Sequence, residues 1–89
     1  MEITKVQVFV REGGEKLKAF ASITLDGAYV VDGLKVFDGQ NGLFVSMPSR
    51  KVPGGGYKDV VFPVTREARE ALQEAVIGAY RQAREPGEA

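Results

Sequence analysis

Leu17-Lys18-Ala19-Phe20-Ala21-Ser22-Ile23-Thr24-Leu25-Asp26-Gly27-Ala28-Tyr29-Val30-Val31 decides how the rest of this chain is read. Leu17, Ala19, Ala21, Ile23 and Leu25 alternate with Lys18, Phe20, Ser22 and Thr24, the period of two expected of a half-buried strand. Asp26-Gly27 is a two-residue hairpin signal, because a type I′ turn needs positive φ at both central positions. A further strand is therefore expected over 28–37, with Tyr29, Val30, Val31, Leu34, Val36 and Phe37, and with Gly33 marking a bulge or bend. Upstream, residues 3–11 alternate as well. Val6, Val8 and Val10 share one face, and Lys5, Gln7 and Arg11 share the other. Phe9 and Ile3 fall on the mostly polar face and imply that it too is partly covered. Gly13-Gly14 reads as the turn between these two strands.

Downstream, Asp38-Gly39-Gln40-Asn41-Gly42 is dense with turn formers, and Leu43-Phe44-Val45-Ser46-Met47 follows as a short apolar strand that Pro48 ends. Residues 49–56 read as a loop closing in Pro53-Gly54-Gly55-Gly56, and Tyr57 to Val61 as a fifth extended piece that stops before Pro63. At Thr65 the period changes. Thr65 suits an N-cap, Glu67 complements the dipole in the first turn, and Ala68, Leu72, Ala75, Val76, Ala79, Tyr80 and Ala83 recur as one apolar stripe. Gly78 either weakens this helix by ~1 kcal/mol relative to Ala or admits a close neighbour. The expected fold is α+β: a mainly antiparallel five-strand sheet, a meander, followed by a C-terminal amphipathic helix. A single domain spans residues 1–85, and Pro86-Gly87 opens a frayed tail over 86–89.

Composition narrows the chemistry. The chain has 89 residues, of which 44% are hydrophobic and eight aromatic (five Phe, three Tyr), so it is globular in character and holds one small core. It contains no Cys and no His. Disulfides, thiolate catalysis and cysteine-based metal sites are therefore excluded, and the commonest general base and metal ligand is missing. No enzyme activity, cofactor or metal is expected. Twelve Lys+Arg balance twelve Asp+Glu, so no global field draws in nucleic acid or a membrane. The start, Met1-Glu2-Ile3-Thr4-Lys5-Val6, lacks signal-peptide character, and no stretch approaches the ~20 apolar residues of a membrane span. A cytoplasmic location is expected.

One helix of roughly five turns covers only one face of such a sheet. Phe9, Phe20, Tyr29 and Phe37 leave the other side too apolar to be wholly wet, so a homodimer formed through the sheet is expected.

The remaining polar clusters divide into bland and informative. Asp26 and Asp38 precede Gly in turns, and together with Asp32 they read as backbone partners rather than a catalytic pair. The 38–42 turn lacks the alternating ligands and closing Glu of a calcium loop. Ser46 and Ser49 have no histidine to act as base. Gly54-Gly55-Gly56-Tyr57-Lys58 lacks the spacing of a phosphate-binding P-loop. By contrast, Arg50, Lys51, Lys58 and Arg66 face only Asp59 between residues 49 and 66, with Arg69 close behind on the helix. Such a local excess, with Tyr57 as a stacking surface, suits phosphates and bases, although a solvated loop is the simpler alternative.

Longer motifs carry a resemblance. Ala21-Ser22-Ile23-Thr24-Leu25-Asp26, then Val36-Phe37-Asp38-Gly39-Gln40-Asn41-Gly42-Leu43-Phe44-Val45-Ser46-Met47-Pro48-Ser49-Arg50-Lys51, then Tyr57-Lys58-Asp59-Val60-Val61-Phe62-Pro63, closely resemble the SpoVG family (stage V sporulation protein G). The opening Met1-Glu2-Ile3-Thr4 resembles that family's start, and the likeness runs to about residue 83. The resemblance implies a small homodimeric regulator, an antiparallel sheet followed by a helix, that binds DNA and RNA. In spore formers it implies effects on sporulation and on the asymmetric division septum, and in other bacteria global regulation. It places nucleic-acid contacts at Arg50 and Lys51, after the Met-Pro-Ser motif, and at Arg66 and Arg69 in the helical region. Many relatives carry a longer acidic tail than the residues that follow the helix here. A protein-interaction module of the septation and division machinery, with nucleic-acid binding incidental, is the alternative.

Overall fold

The computed structural model describes residues 2–11 and 16–84; the expected Gly13-Gly14 turn and the 86–89 tail lie outside them. Four strands, β1 (Ile3–Val10), β2 (Leu17–Leu25), β3 (Tyr29–Gly39) and β4 (Gly42–Ser46), form an antiparallel sheet in the order β1-β2-β3-β4. A two-strand hairpin, β5 (Ser49–Lys51) with β6 (Tyr57–Asp59), makes a second sheet, and α1 (Arg66–Arg84) closes the chain. The α+β class and the meander hold. The fifth extended piece, expected to join the main sheet, pairs instead with residues 49–51 of the segment expected to be a loop. Pro48 accounts for the break, since it cannot donate to a ladder and the chain leaves the sheet there.

The turns follow from local chemistry. Asp26 and Gly27 both have positive φ (52° and 62°), and the Ala28 N–H donates to the Leu25 carbonyl at 2.9 Å. Positive φ at both central residues is what this hairpin geometry requires. Asp26 also accepts the Glu2 N–H on Oδ1 at 2.8 Å, and Gly27 N–H donates to Thr4 Oγ1 at 2.9 Å, which ties the start of β1 to the turn. At Gly33 (φ 90°) the β2–β3 register slips, so that Asp32 and Gly33 together oppose Ser22 in a bulge.

One sheet face builds the core. Ala19, Ala21 and Ile23 of β2, Leu34 and Val36 of β3 and Val45 of β4 are buried with Leu72, Val76 and Tyr80 of α1. Val6, Val8, Leu25, Leu43 and Met47 pack around them. Each fully buried aliphatic side chain contributes about 1.5–3 kcal/mol of transfer free energy. The helix runs closest to the two edge strands, β1 first and β4 next, so the sheet curls around it. Its buried stripe is narrower than expected, because Ala68 and Ala83 lie in the exposed first and last turns. Thr65 caps the helix by accepting the Ala68 N–H at 3.1 Å. Nothing lies within 4 Å of a Cβ placed on Gly78, so that glycine weakens the helix without admitting a neighbour.

Gln73 fastens the helix to the sheet edge. Its Oε1 accepts the Val45 N–H at 3.0 Å, and its Nε2 donates to the Val45 carbonyl at 3.2 Å. Both backbone groups of a β4 edge residue are thereby satisfied, so strand addition at that point is blocked. Among the described residues no helix is long and apolar enough to cross a membrane.

Candidate nucleic-acid interface

The hairpin β5–β6 stands apart from the core as an arm. Val60 N–H donates to the Pro48 carbonyl at 2.9 Å and closes its base. Gly54, Gly55 and Gly56, all near φ +90°, form a tip that side-chain-bearing residues would enter only with strain. Every residue of β5 and β6 is exposed. A two-strand hairpin with no buried face is marginal by itself. Its structure therefore rests on the turn and on the sheet edge from which it grows.

Register decides what the arm presents. Ser49 opposes Asp59, Arg50 opposes Lys58, and Lys51 opposes Tyr57. Alternation puts Arg50 and Lys58 together on one face, with Ser49, Lys51, Tyr57 and Asp59 on the other. Like charges directly opposite each other in a ladder are destabilising, by a fraction of the ~0.2–1 kcal/mol typical of such pairs. The one carboxylate of these strands, Asp59, lies on the other face. Such a pair is well placed to share an anion. Arg50 and Lys51, adjacent in sequence, consequently point to opposite sides of the arm, and Lys51 stands beside Tyr57, which is 73% exposed.

The helix-borne candidates are arranged differently. Arg66 already pairs with Glu70 at 3.5 Å across one helical turn, with both side chains largely in water. Such a pair contributes only ~0.3–0.5 kcal/mol and releases Arg66 at little cost. Arg69, one position short of a turn further on, is exposed. The arm's base and the helix start flank one apolar groove of about 650 Å³, whose walls include Ile3, Met47, Val61, Phe62, Ala68 and Leu72. The structure thus brings Arg50 to Lys58 and Lys51 to Tyr57, while Arg66 and Arg69 stay on the exposed first turn of the helix.

Two of the three turn aspartates behave as backbone partners. Asp26 holds the β1 start, and Asp32 Oδ1 accepts the N–H of Gly33 at 2.9 Å. Among the described residues, no group of three or more His, Cys, Asp or Glu is arranged to hold a metal ion. The sequence reading missed one surface and part of another. One is the tract Val60-Val61-Phe62, with Val64 beyond it, which is exposed throughout, Val64 to 83%. Its apolar run without alternation was the available signal. The outer sheet face was expected to be apolar, but the reading did not place Lys35 beside Phe20 on it.

Fold and site together define a class: a small α+β domain with a cationic hairpin arm set beside an apolar groove. The SpoVG family model matches residues 1–82, and the chain belongs to the SpoVG family. Relatives bearing the name "Putative septation protein SpoVG" bracket nearly the whole chain. That of Archaeoglobus fulgidus is 47% identical over 81 residues, covering 91% of this chain and 95% of the relative. That of Desulforudis audaxviator is 48% identical over 80 residues, covering 90% and 91%. The Symbiobacterium thermophilum protein is 51% identical over 80 residues, which are 90% of this chain but 57% of that longer relative.

Proposed function

We propose that this protein is a dimeric DNA- and RNA-binding regulator acting in septation, with effects on sporulation where the host forms spores. The observation that carries the reading is the Arg50–Lys58 pair, two cations held opposite one another on an exposed arm. A pair that costs folding energy is most simply retained for a ligand that neutralises it. Phosphate fits by charge, and Lys51 with Tyr57 supplies a second cation and a ring on the arm's other side. Arg66 and Arg69 extend the contact from the helix start. The septation role rests on the names of the relatives.

Self-association is proposed at the groove rather than across the sheet. Val60, Val61, Phe62 and Val64 form the densest run of exposed apolar side chains among the described residues, and Val61 and Phe62 line that groove. Two copies would double the number of arms. With about six to eight phosphate contacts per dimer, affinity falls ~10³–10⁴-fold between 50 and 200 mM salt by counterion release.

Titrating labelled DNA and RNA of matched sequence at several salt concentrations, with sedimentation of the same sample, tests both parts. Absence of binding at low salt sinks the nucleic-acid reading, and a monomer at all concentrations sinks the dimer. The same apolar tract also favours the second reading, a docking module for a division protein. Capture of such a protein that resists both nuclease and high salt would establish it.

A further inference from the structure

The side of the four-strand sheet that faces away from the helix carries a second, unassigned site. Phe9 opposes Phe20 across β1 and β2, Phe20 opposes Lys35 across β2 and β3, and Lys35 opposes Ser46 on β4. One row further along, Phe37 opposes Phe44, and their rings stack with centroids 5.6 Å apart at 22°. Diagonal neighbours on such a face stand ~7–8 Å apart, within reach of one ligand. These rings are open to solvent: Phe9 is 62% exposed, Phe20 42% and Phe44 46%.

Two features make this more than a stray apolar patch. First, Phe44 is held flat by design of the backbone. A Cβ on Gly39 would stand 2.8 Å from Phe44 Cε1, so only glycine lets the ring lie over that strand. A cleft of about 390 Å³ opens there between Phe37, Phe44, Gln40 and Lys16. Second, cations are interspersed with the rings. By strand alternation Lys5 and Lys35 share the outer face with the rings, and Asp32 beside them has its carboxylate engaged by the Gly33 N–H.

We propose that this face binds unstacked bases of single-stranded DNA or RNA, with Phe9, Phe20 and Phe44 as stacking surfaces and Lys5 and Lys35 on the phosphates. The proposal rests on the nucleic-acid reading above and adds the strand state and a second site. Base faces are hidden in an intact duplex and free in a single strand, so a platform of rings with interspersed lysines selects the latter. A second copy seated on the same face would bury Lys5 and Lys35 among the rings, a desolvation cost that a phosphate-bearing strand offsets.

The test uses a fluorescein-labelled oligothymidine strand and a duplex of equal length, with wild type, Phe20→Leu, Phe44→Leu, Phe20→Trp and the Arg50→Ala/Lys58→Ala variant. Leucine keeps apolar area but removes the ring, and both positions are exposed enough for the fold to persist. Wild type is expected to bind the single strand at least about tenfold tighter than the duplex. Each leucine variant should lose about tenfold on the single strand and nothing on the duplex. Phe20→Trp should keep its affinity, and its emission, from the only tryptophan in the chain, should be quenched by the oligonucleotide. The arm variant should weaken both ligands. Leucine variants that bind the single strand like wild type would overturn the platform while the arm reading stands. Failure of wild type to bind either ligand would overturn both. Loss of binding together with dissociation of a dimer in sedimentation would assign the face to self-association and overturn the platform.

Discussion

The body and the arm of this protein are built on opposite terms. In the body, Ala19, Leu34, Val36 and Val76 have no exposed surface, and the one buried polar residue of the described chain, Ser22, lies among strands. In the arm no residue is buried, and the central pair is Arg50 against Lys58. The body gains from every contact it makes, whereas the arm's central contact costs it. The contrast separates residues that stabilise the fold from residues that do not. It also predicts that the two sets respond to mutation in opposite ways.

The largest effect belongs to the core. Leu34→Ala should lower unfolding free energy by about 2–5 kcal/mol in denaturant titration, because it removes a fully buried side chain against the helix. Arg50→Ala/Lys58→Ala should leave that free energy unchanged or slightly raised. A loss above ~1 kcal/mol in the arm variant would break the contrast. Next comes Gln73→Ala, which strands the N–H and carbonyl of Val45 at the sheet edge. A cost of about 1–3 kcal/mol is expected, with more self-association as that edge is uncovered. Thr65→Ala should cost about 0.5–2 kcal/mol through the lost cap. Gly78→Ala should have the reverse sign, a gain of up to ~1 kcal/mol, since the added methyl meets nothing. Smallest is Arg66→Ala, within ~0.5 kcal/mol, because its ion pair with Glu70 is solvated. A substantial stability loss there would mean that the helix start is structurally tied to the groove.

The sequence shows the body well and the arm poorly, for a physical reason. The Asp26-Gly27 turn, the Gly33 bulge and the Thr65 cap are local, each decided by two to four residues whose backbone preferences leave little choice. Period-two alternation likewise marks β1 and β2 because one face of each is buried. Ser49-Arg50-Lys51 has no apolar alternation to reveal a strand, and its pairing depends on the length of the Gly54–Gly56 tip. Arg50 and Lys51 were legible as basic, but their separation onto opposite faces follows only from register. Gln73 and Val45 are 28 residues apart, and nothing in either neighbourhood announces the other. Thr65 was legible as a cap, while the breadth of the apolar stripe was overestimated. Ala68 and Ala83 are hydrophobic enough to fit the pattern but small enough to remain in water.

The central claim is that the arm was shaped for phosphate. The most direct measurement is the salt dependence of affinity for one DNA duplex, compared between wild type and Arg50→Ala/Lys58→Ala. The account predicts weaker binding by the variant on unrelated sequences alike, and a log–log salt slope flatter by roughly one to two units per protomer. An unchanged slope at unchanged affinity would contradict it and leave the Arg50–Lys58 opposition without a ligand.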